Sequence, residues 1–128
     1  MIYLDTSVAL AQLLAEDRHP PDGFWQEALI ASRLLEYELW TAINARGLAA
    51  SHGNEVRALI GRVALIELTP PVLARALEPF PSAVRTLDAL HLASIEFLRS
   101  QRQPIVLATY DKRMETTARA LGIQLHPI

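Results

Sequence analysis

Short apolar runs alternate with longer stretches of helical periodicity along the whole chain, and that alternation predicts βαβ units built on a mostly parallel sheet. Ile2-Tyr3-Leu4 reads as a first strand, and TSVALAQLLA as a helix over about 6–15 whose Val8, Leu10, Leu13 and Leu14 face inward. Pro20-Pro21 punctuate the chain, a short helix near 22–28 turns Phe24 and Trp25 toward the core, and Leu29-Ile30-Ala31-Ser32 makes a second strand. A helix over about 35–46 follows, with Leu35, Leu39 and Ile43 on one face. Gly47 and Gly53 bracket a turn before a helix at about 54–64, and LIEL at 65–68 reads as a strand.

Thr69-Pro70-Pro71 has the form of a helix start, since Thr can cap and proline gives up an amide that would be orphaned anyway. The pattern continues as a helix over 85–100, a strand at 105–107, a helix over 112–121 stopped by Gly122, and a last strand at 123–125. No repeat, low-complexity tract or linker interrupts it. The expected architecture is therefore α/β, in three layers, with a mostly parallel central sheet of four to five strands and one domain over residues 1–128.

Composition narrows the function. At 51% hydrophobic and 20% charged residues the chain carries enough apolar surface for a packed core. Its formal net charge of −2 excludes holding nucleic acid by bulk positive charge, while a local basic rim stays open. Cysteine is absent, which removes thiol chemistry and fits a reducing cytosol. Met1 leads straight into strand-like residues without a basic n-region, and no apolar run approaches the ~20 residues of a membrane span, so a cytoplasmic protein without membrane contact is expected.

Four acids stand out against this background because each lies within or just beyond an apolar stretch: Asp5, Glu38, Asp88 and Asp111. Asp5 and Asp111 follow strands and precede helices, where ligand clefts of open α/β sheets form, although both can be ordinary N-caps. Asp88 falls in a first helical turn that favours an acid, and Glu38 can be a plain exposed glutamate. If the four converge, a hard divalent cation is their natural partner, because unneutralised carboxylates ~5 Å apart repel by about 3 kcal/mol per pair at an effective dielectric of about 20. Mg²⁺, or Mn²⁺ in its place, suits such oxygen ligands and keeps positions open for phosphate. The four histidines lack zinc spacing, and His91, three residues after Asp88, reads as a core histidine.

The segments YLDTSVALAQLL, SRLLEYEL, RTLDALHLAS and TYDKRM, followed by ARALGI, occur in this order from residue 3 to residue 123. Together they resemble a PIN-domain ribonuclease, and within that group the VapC-type toxins of prokaryotic toxin–antitoxin pairs. The resemblance implies that Asp5, Glu38, Asp88 and Asp111 form an acidic metal site, that Ser7 and Thr109 orient carboxylates or water beside it, and that Glu38 rather than Glu36 is the helical acid. The stretch between Asp88 and Asp111 departs from the family pattern by its RSQRQP extension, which leaves direct or water-mediated binding by Asp111 open.

What the resemblance implies chemically is Mg²⁺-dependent hydrolysis of RNA by metal-activated water, leaving a 3′-hydroxyl and a 5′-phosphate. Arg33, Arg46, Arg85, Lys112 and Arg113 flank the acidic segments and can neutralise phosphates, and eight aromatic residues in all favour a folded RNA such as tRNA or rRNA over a run of stacked bases. It further implies a homodimer, a small VapB-type antitoxin with a helical apolar segment, and contact with operator DNA only through that antitoxin; Trp25, Leu39 and Trp40 are compatible with such a docking groove, although core packing is the expected place for them. Two rivals remain: a catalytically silent PIN-like module that binds RNA or protein, and a Mg²⁺ phosphatase. The second is disfavoured because Thr6 and Ser7 follow Asp5 where a DxD motif needs its second acid.

Overall fold

Parallel strands covered on both faces read as near-continuous apolar runs, as the strands of this chain do apart from Ser32 and Gln124. The computed structural model describes residues 1–128. Its elements are β1 (Ile2–Leu4), α1 (Thr6–Leu13), a 3-10 turn (Asp22–Gln26), β2 (Leu29–Ser32), α2 (Leu34–Ala45), α3 (Ala49–Ile60), β3 (Val63–Ile66), α4 (Pro70–Ala76), α5 (Thr86–Ser100), β4 (Val106–Ala108), α6 (Lys112–Ala120) and β5 (Gln124–Leu125). The five strands form one all-parallel sheet in the order β3-β2-β1-β4-β5.

Side-chain alternation splits the core in two. Ile2, Leu4, Leu29 and Ala31 point to one face and pack with Val8, Leu13, Leu35, Leu39, Ile43, Val56 and Leu59 from α1, α2 and α3. Tyr3, Ile30 and Leu107 point to the other and pack with Leu92, Ile95, Leu98, Met114 and Ala118 from α5 and α6. The result is the three-layer α/β/α arrangement expected from the alternating pattern, with α4 packed against α5.

Four expectations need correction. The third helix begins at Ala49, not near 54, so Gly53 lies within it rather than in a turn. A Cβ there would stand 3.6 Å from Trp40 Cη2 and 3.3 Å from Arg57 Nη1, so this glycine serves a close approach of α3 to α2. Gly47, at φ +67°, does end α2 in the left-handed region, as its sequence position suggests. The following strand is Val63–Ile66 instead of 65–68, because Val63 pairs with Leu29 and the ladder ends at Ser32↔Ile66. Thr69 precedes α4 without a side-chain cap, and its buried Oγ1 has no partner, so the prolines alone mark that start. Leu10 and Leu14 are only half-buried, whereas Val8 and Leu13 are buried as expected.

The strand order places the site. The chain runs outward from β1 through β2 to β3, then returns to lay β4 on the other side of β1. Beyond the carboxyl ends of β1 and β4 the connections diverge, and the crevice this opens is where open α/β sheets hold ligands. Asp5 follows β1 there, with its amide donating to the carbonyl of Ala108 at the end of β4 (3.0 Å).

Candidate active site

Asp5 occupies the N-cap position of α1 with extended backbone, yet its carboxylate caps nothing. Oδ2 instead accepts hydrogen bonds from Ser7 Oγ (2.6 Å) and Thr109 Oγ1 (2.8 Å). These hydroxyls are fixed in turn: the Tyr110 amide donates to Ser7 Oγ and the Asp111 amide to Thr109 Oγ1, both at 3.0 Å. Two loops from adjacent strands thus clamp one carboxylate that is 5% exposed. Burial pushes the Asp5 pKa up, and the Ser7 hydrogen bond, the His91 ring and the Thr109 hydrogen bond pull against it.

Glu38 reaches the same pocket from the second turn of α2. Its Oε1 accepts from Thr6 Oγ1 (3.1 Å) and from His91 Nε2 in a short hydrogen bond. The His91 ring is 1% exposed, and its Nδ1 meets the hydroxyl of the fully buried Tyr3 at 2.7 Å. Burial opposes a charge on His91, but the hydrogen bond to Glu38 and the fields of Glu38, Asp5 and Asp88 outweigh it and raise the pKa. Burial likewise pushes the Tyr3 phenol far up, so it stays a neutral donor.

The outer side of the cleft is built differently. Asp88 lies in the first turn of α5 and Asp111 caps α6, its Oδ1 accepting from the amides of Arg113 (2.9 Å) and Met114 (3.3 Å). One guanidinium joins them: Arg85 Nε donates to Asp88 Oδ2 (3.1 Å) and Nη2 to Asp111 Oδ2 (2.9 Å). Arg85 is 63% exposed against 15% and 23% for its two partners, so an exposed cation covers half-buried acids. The hydrogen bond to Asp88, then the charges of Asp88, Asp111 and Asp5, raise its pKa.

The four acids picked from the sequence therefore fall into two pairs, Asp5 and Glu38 beside His91 and Asp88 and Asp111 on Arg85, with Ser7 and Thr109 on Asp5 and the field of Asp5 reaching both His91 and Arg85. Glu36 stands apart, paired with Arg33 at 3.4 Å. Arg33 also binds Glu67 (2.7 Å) and touches none of the four acids, and Arg46 donates to the Ala42 carbonyl at the end of α2. Lys112 and Arg113 are exposed on the first turn of α6 beside Asp111. Leu39 is core, which removes it from any surface groove, while Trp25 and Trp40 are only partly covered. Sequence reasoning misses Tyr3, Thr6 and the tie of His91 to Glu38. The available signals are the phenol in an otherwise apolar strand, which needs a partner when buried, and the placement of His91 one turn beyond Asp88.

Donor chemistry decides what the crevice accepts. No three of these groups stand in joint reach of one ion. Magnesium sites, however, take one or two carboxylates and complete the shell with water and phosphate, and the all-oxygen donors here suit that pattern. Asp5 fits best, because its buried charge is met only by hydroxyls and a neighbouring imidazole. A cavity of about 340 Å³ between α1, the 3-10 turn and α3 touches none of the four acids, so charge rather than volume marks the candidate site.

The chain is similar to known proteins over nearly its whole length. Residues 2–120 match the model of the PIN domain. Ribonuclease VapC35 of Mycobacterium tuberculosis is 31% identical, aligned over 96% of this chain and 93% of its own length. Ribonuclease VapC47 of the same species is 30% identical over 95% of this chain and 93% of its own. Among solved structures, Mycobacterium tuberculosis VapC20, described as a sarcin–ricin loop cleaving toxin, superposes with a TM-score of 0.68 at 20% identity, covering 99% of this chain and 100% of that one. A toxin–antitoxin complex from Klebsiella pneumoniae gives 0.59 at 15% identity, covering 88% of each chain. With a family match across nearly its whole length and full-length relatives of the same kind, this chain belongs to the PIN-domain family, among the VapC ribonucleases.

Proposed function

We propose that the protein is the endoribonuclease toxin of a toxin–antitoxin pair and that it hydrolyses phosphodiester bonds of structured RNA at the crevice of Asp5, Glu38, Asp88 and Asp111. The observation that carries this reading is the Asp5 carboxylate, buried at the switch point of the sheet and held by Ser7 and Thr109 while its neighbours are also acids. A bound Mg²⁺ or Mn²⁺ supplies an activated water and charge neutralisation for in-line attack on phosphorus. Asp5 and Asp88 are the residues that would hold it, and Asp111 would support it from the outer shell.

The chain's own groups do the rest. Ser7 and Thr109 keep one oxygen of Asp5 occupied, which orients the other toward the crevice. Glu38, fixed through Oε1, presents Oε2 to position or deprotonate water. Arg85 is free to turn from Asp88 and Asp111 to a substrate phosphate, and Lys112 and Arg113 extend that positive rim. The relatives support an RNA substrate and a small antitoxin as partner; a homodimer, a cytoplasmic site of action and operator contact through the antitoxin follow from the same reading. No helix is long and apolar enough to cross a membrane.

Incubating the purified protein with bulk rRNA and tRNA, with Mg²⁺ or with EDTA, tests the reading. Discrete fragments with 5′-phosphate ends that appear only with the ion are expected. Undiminished cutting in excess EDTA, or intact RNA in Mg²⁺, refutes it.

A further inference from the structure

We infer that His91 is a positioning residue for Glu38, the last member of a buried chain that runs from the main chain of β2 through Tyr3 and the imidazole to one oxygen of the carboxylate. This rests on the proposed nuclease site and names a part of it that neither the acids nor their loops supply.

The chain crosses four elements. The Ser32 amide of β2 donates to Tyr3 Oη of β1 at 3.0 Å, Tyr3 Oη lies 2.7 Å from His91 Nδ1 of α5, and His91 Nε2 meets Glu38 Oε1 of α2. A carboxylate only accepts, so Nε2 must carry a proton. On the other side of the ring two arrangements exist. Either the Tyr3 hydroxyl donates to a bare Nδ1, or a protonated Nδ1 donates to Tyr3 and the phenol turns to Ser94, which also faces it. Both leave Nε2–H pointing at Glu38, so the polarity of that contact does not depend on the charge of the ring.

The ring has no freedom to turn away. His91 is 1% exposed and Tyr3 fully buried, and the two rings stand edge to face with centroids 5.8 Å apart at 77°. Glu38, by contrast, is 21% exposed on a flexible three-torsion side chain, next to the negative charge of Asp5. Left alone it would sample several rotamers and swing away from Asp5. Thr6 and His91 together occupy Oε1, and Oε2 has no donor from the chain, so one oxygen is referenced to the sheet and the other is left to the reaction. Groups behind a reactive carboxylate or metal ligand typically change affinity or activity by ~10–100-fold when removed.

A double-mutant cycle with single-turnover cleavage of bulk rRNA in Mg²⁺ tests this, using His91→Phe, Glu38→Gln and the pair. His91→Phe should lower the rate at saturating protein by ~10–100-fold, with the half-saturating concentration changed by less than about threefold, and His91→Gln, whose amide can still donate to Glu38, should recover most of the loss. In the Glu38→Gln background His91→Phe should cost less than about threefold further, because the imidazole acts chiefly through that carboxylate and reaches Asp5 only by its field. A merely structural histidine would multiply its loss into the Glu38→Gln variant and would not be rescued by glutamine. Such multiplication, or a His91→Phe variant as fast as the parent beside a crippled Glu38→Gln, overturns the inference and leaves the nuclease site standing. A fully active Glu38→Gln variant overturns both. The ¹⁵N spectrum of His91 in the unaltered protein decides the matter should His91→Phe fail to fold: a protonated Nε2 is expected, and a bare Nε2 with the proton on Nδ1 refutes the chain.

Discussion

Asp5 and Asp111 occupy matching places, each just before a helix beyond the carboxyl ends of two adjacent parallel strands, and their carboxylates are put to different use. Asp111 does what its position predicts: one oxygen caps α6 and the other takes Arg85. Asp5 leaves α1 uncapped and is held by two side-chain hydroxyls, buried where Asp111 is half-buried. The same contrast runs through the second pair. Glu38 is bound by an inflexible imidazole, while Asp88 is bound by an exposed guanidinium that can leave. An inner half built from buried, fixed donors holds its carboxylates in place, and an outer half covered by an exposed cation can exchange that cation for an ion or a phosphate.

Asparagine separates the two places most sharply. Asp5→Asn should slow RNA cleavage by on the order of 10² or more, as losing a principal electrostatic group does. Asp111→Asn should cost roughly tenfold or less, since asparagine caps a helix nearly as well as aspartate and only the Arg85 contact is lost. Single-turnover rates for the two variants, measured side by side, make the comparison, and equal losses would erase it.

The clamp on Asp5 comes next in size. Thr109→Val removes one donor without changing volume much and should lower cleavage by roughly tenfold, in the range of outer-shell partners. Thermal melting would show only a modest change beside that kinetic loss.

Stability moves the other way at Asp5. Burial raises its pKa, so the folded protein holds that proton more tightly than the unfolded chain. The resulting contribution favours folding below the unfolded carboxylate value of about 3.9 and declines as pH rises through the raised folded value. Asp5→Asn lacks this decline. In EDTA it should melt a few degrees above the parent at neutral pH, with the gap narrowing toward pH 4. A variant less stable than the parent at neutral pH would mean that the hydroxyl clamp outweighs the cost of burial.

Glu36→Ala should do least. Glu36 shares α2 with Glu38 but forms only a part-exposed pair with Arg33, so melting should stay within about 0.5 kcal/mol of the parent and cleavage should not change. A large kinetic loss there would put the helical acid at the wrong residue.

Much of the fold and the acidic half of the site are legible in the amino-acid sequence. Strands such as Ile2–Leu4 and Leu29–Ser32 announce themselves because a parallel strand covered on both faces reads as a short, nearly continuous apolar run. Gly53 misleads, because a glycine that lets two helices approach looks in sequence like one that makes a turn. The acids are visible as charges among apolar neighbours, whereas their partners are not. Tyr3 and His91 lie 88 residues apart, and each alone reads as a core aromatic. Arg85 is visible as a neighbour of Asp88, but its second bond to Asp111 depends on where α5 and α6 end up relative to one another. Periodicity reports which face of an element is buried and is silent on which buried polar groups meet.

The central claim is that Asp5 anchors a divalent cation in the crevice, and titrating Mn²⁺ into the parent and into Asp5→Asn by calorimetry tests it most directly. The account predicts saturable binding to the parent that weakens by roughly tenfold or more in the variant, given that asparagine keeps the hydrogen bonds and removes only the charge. Equal affinity in the two proteins would contradict it.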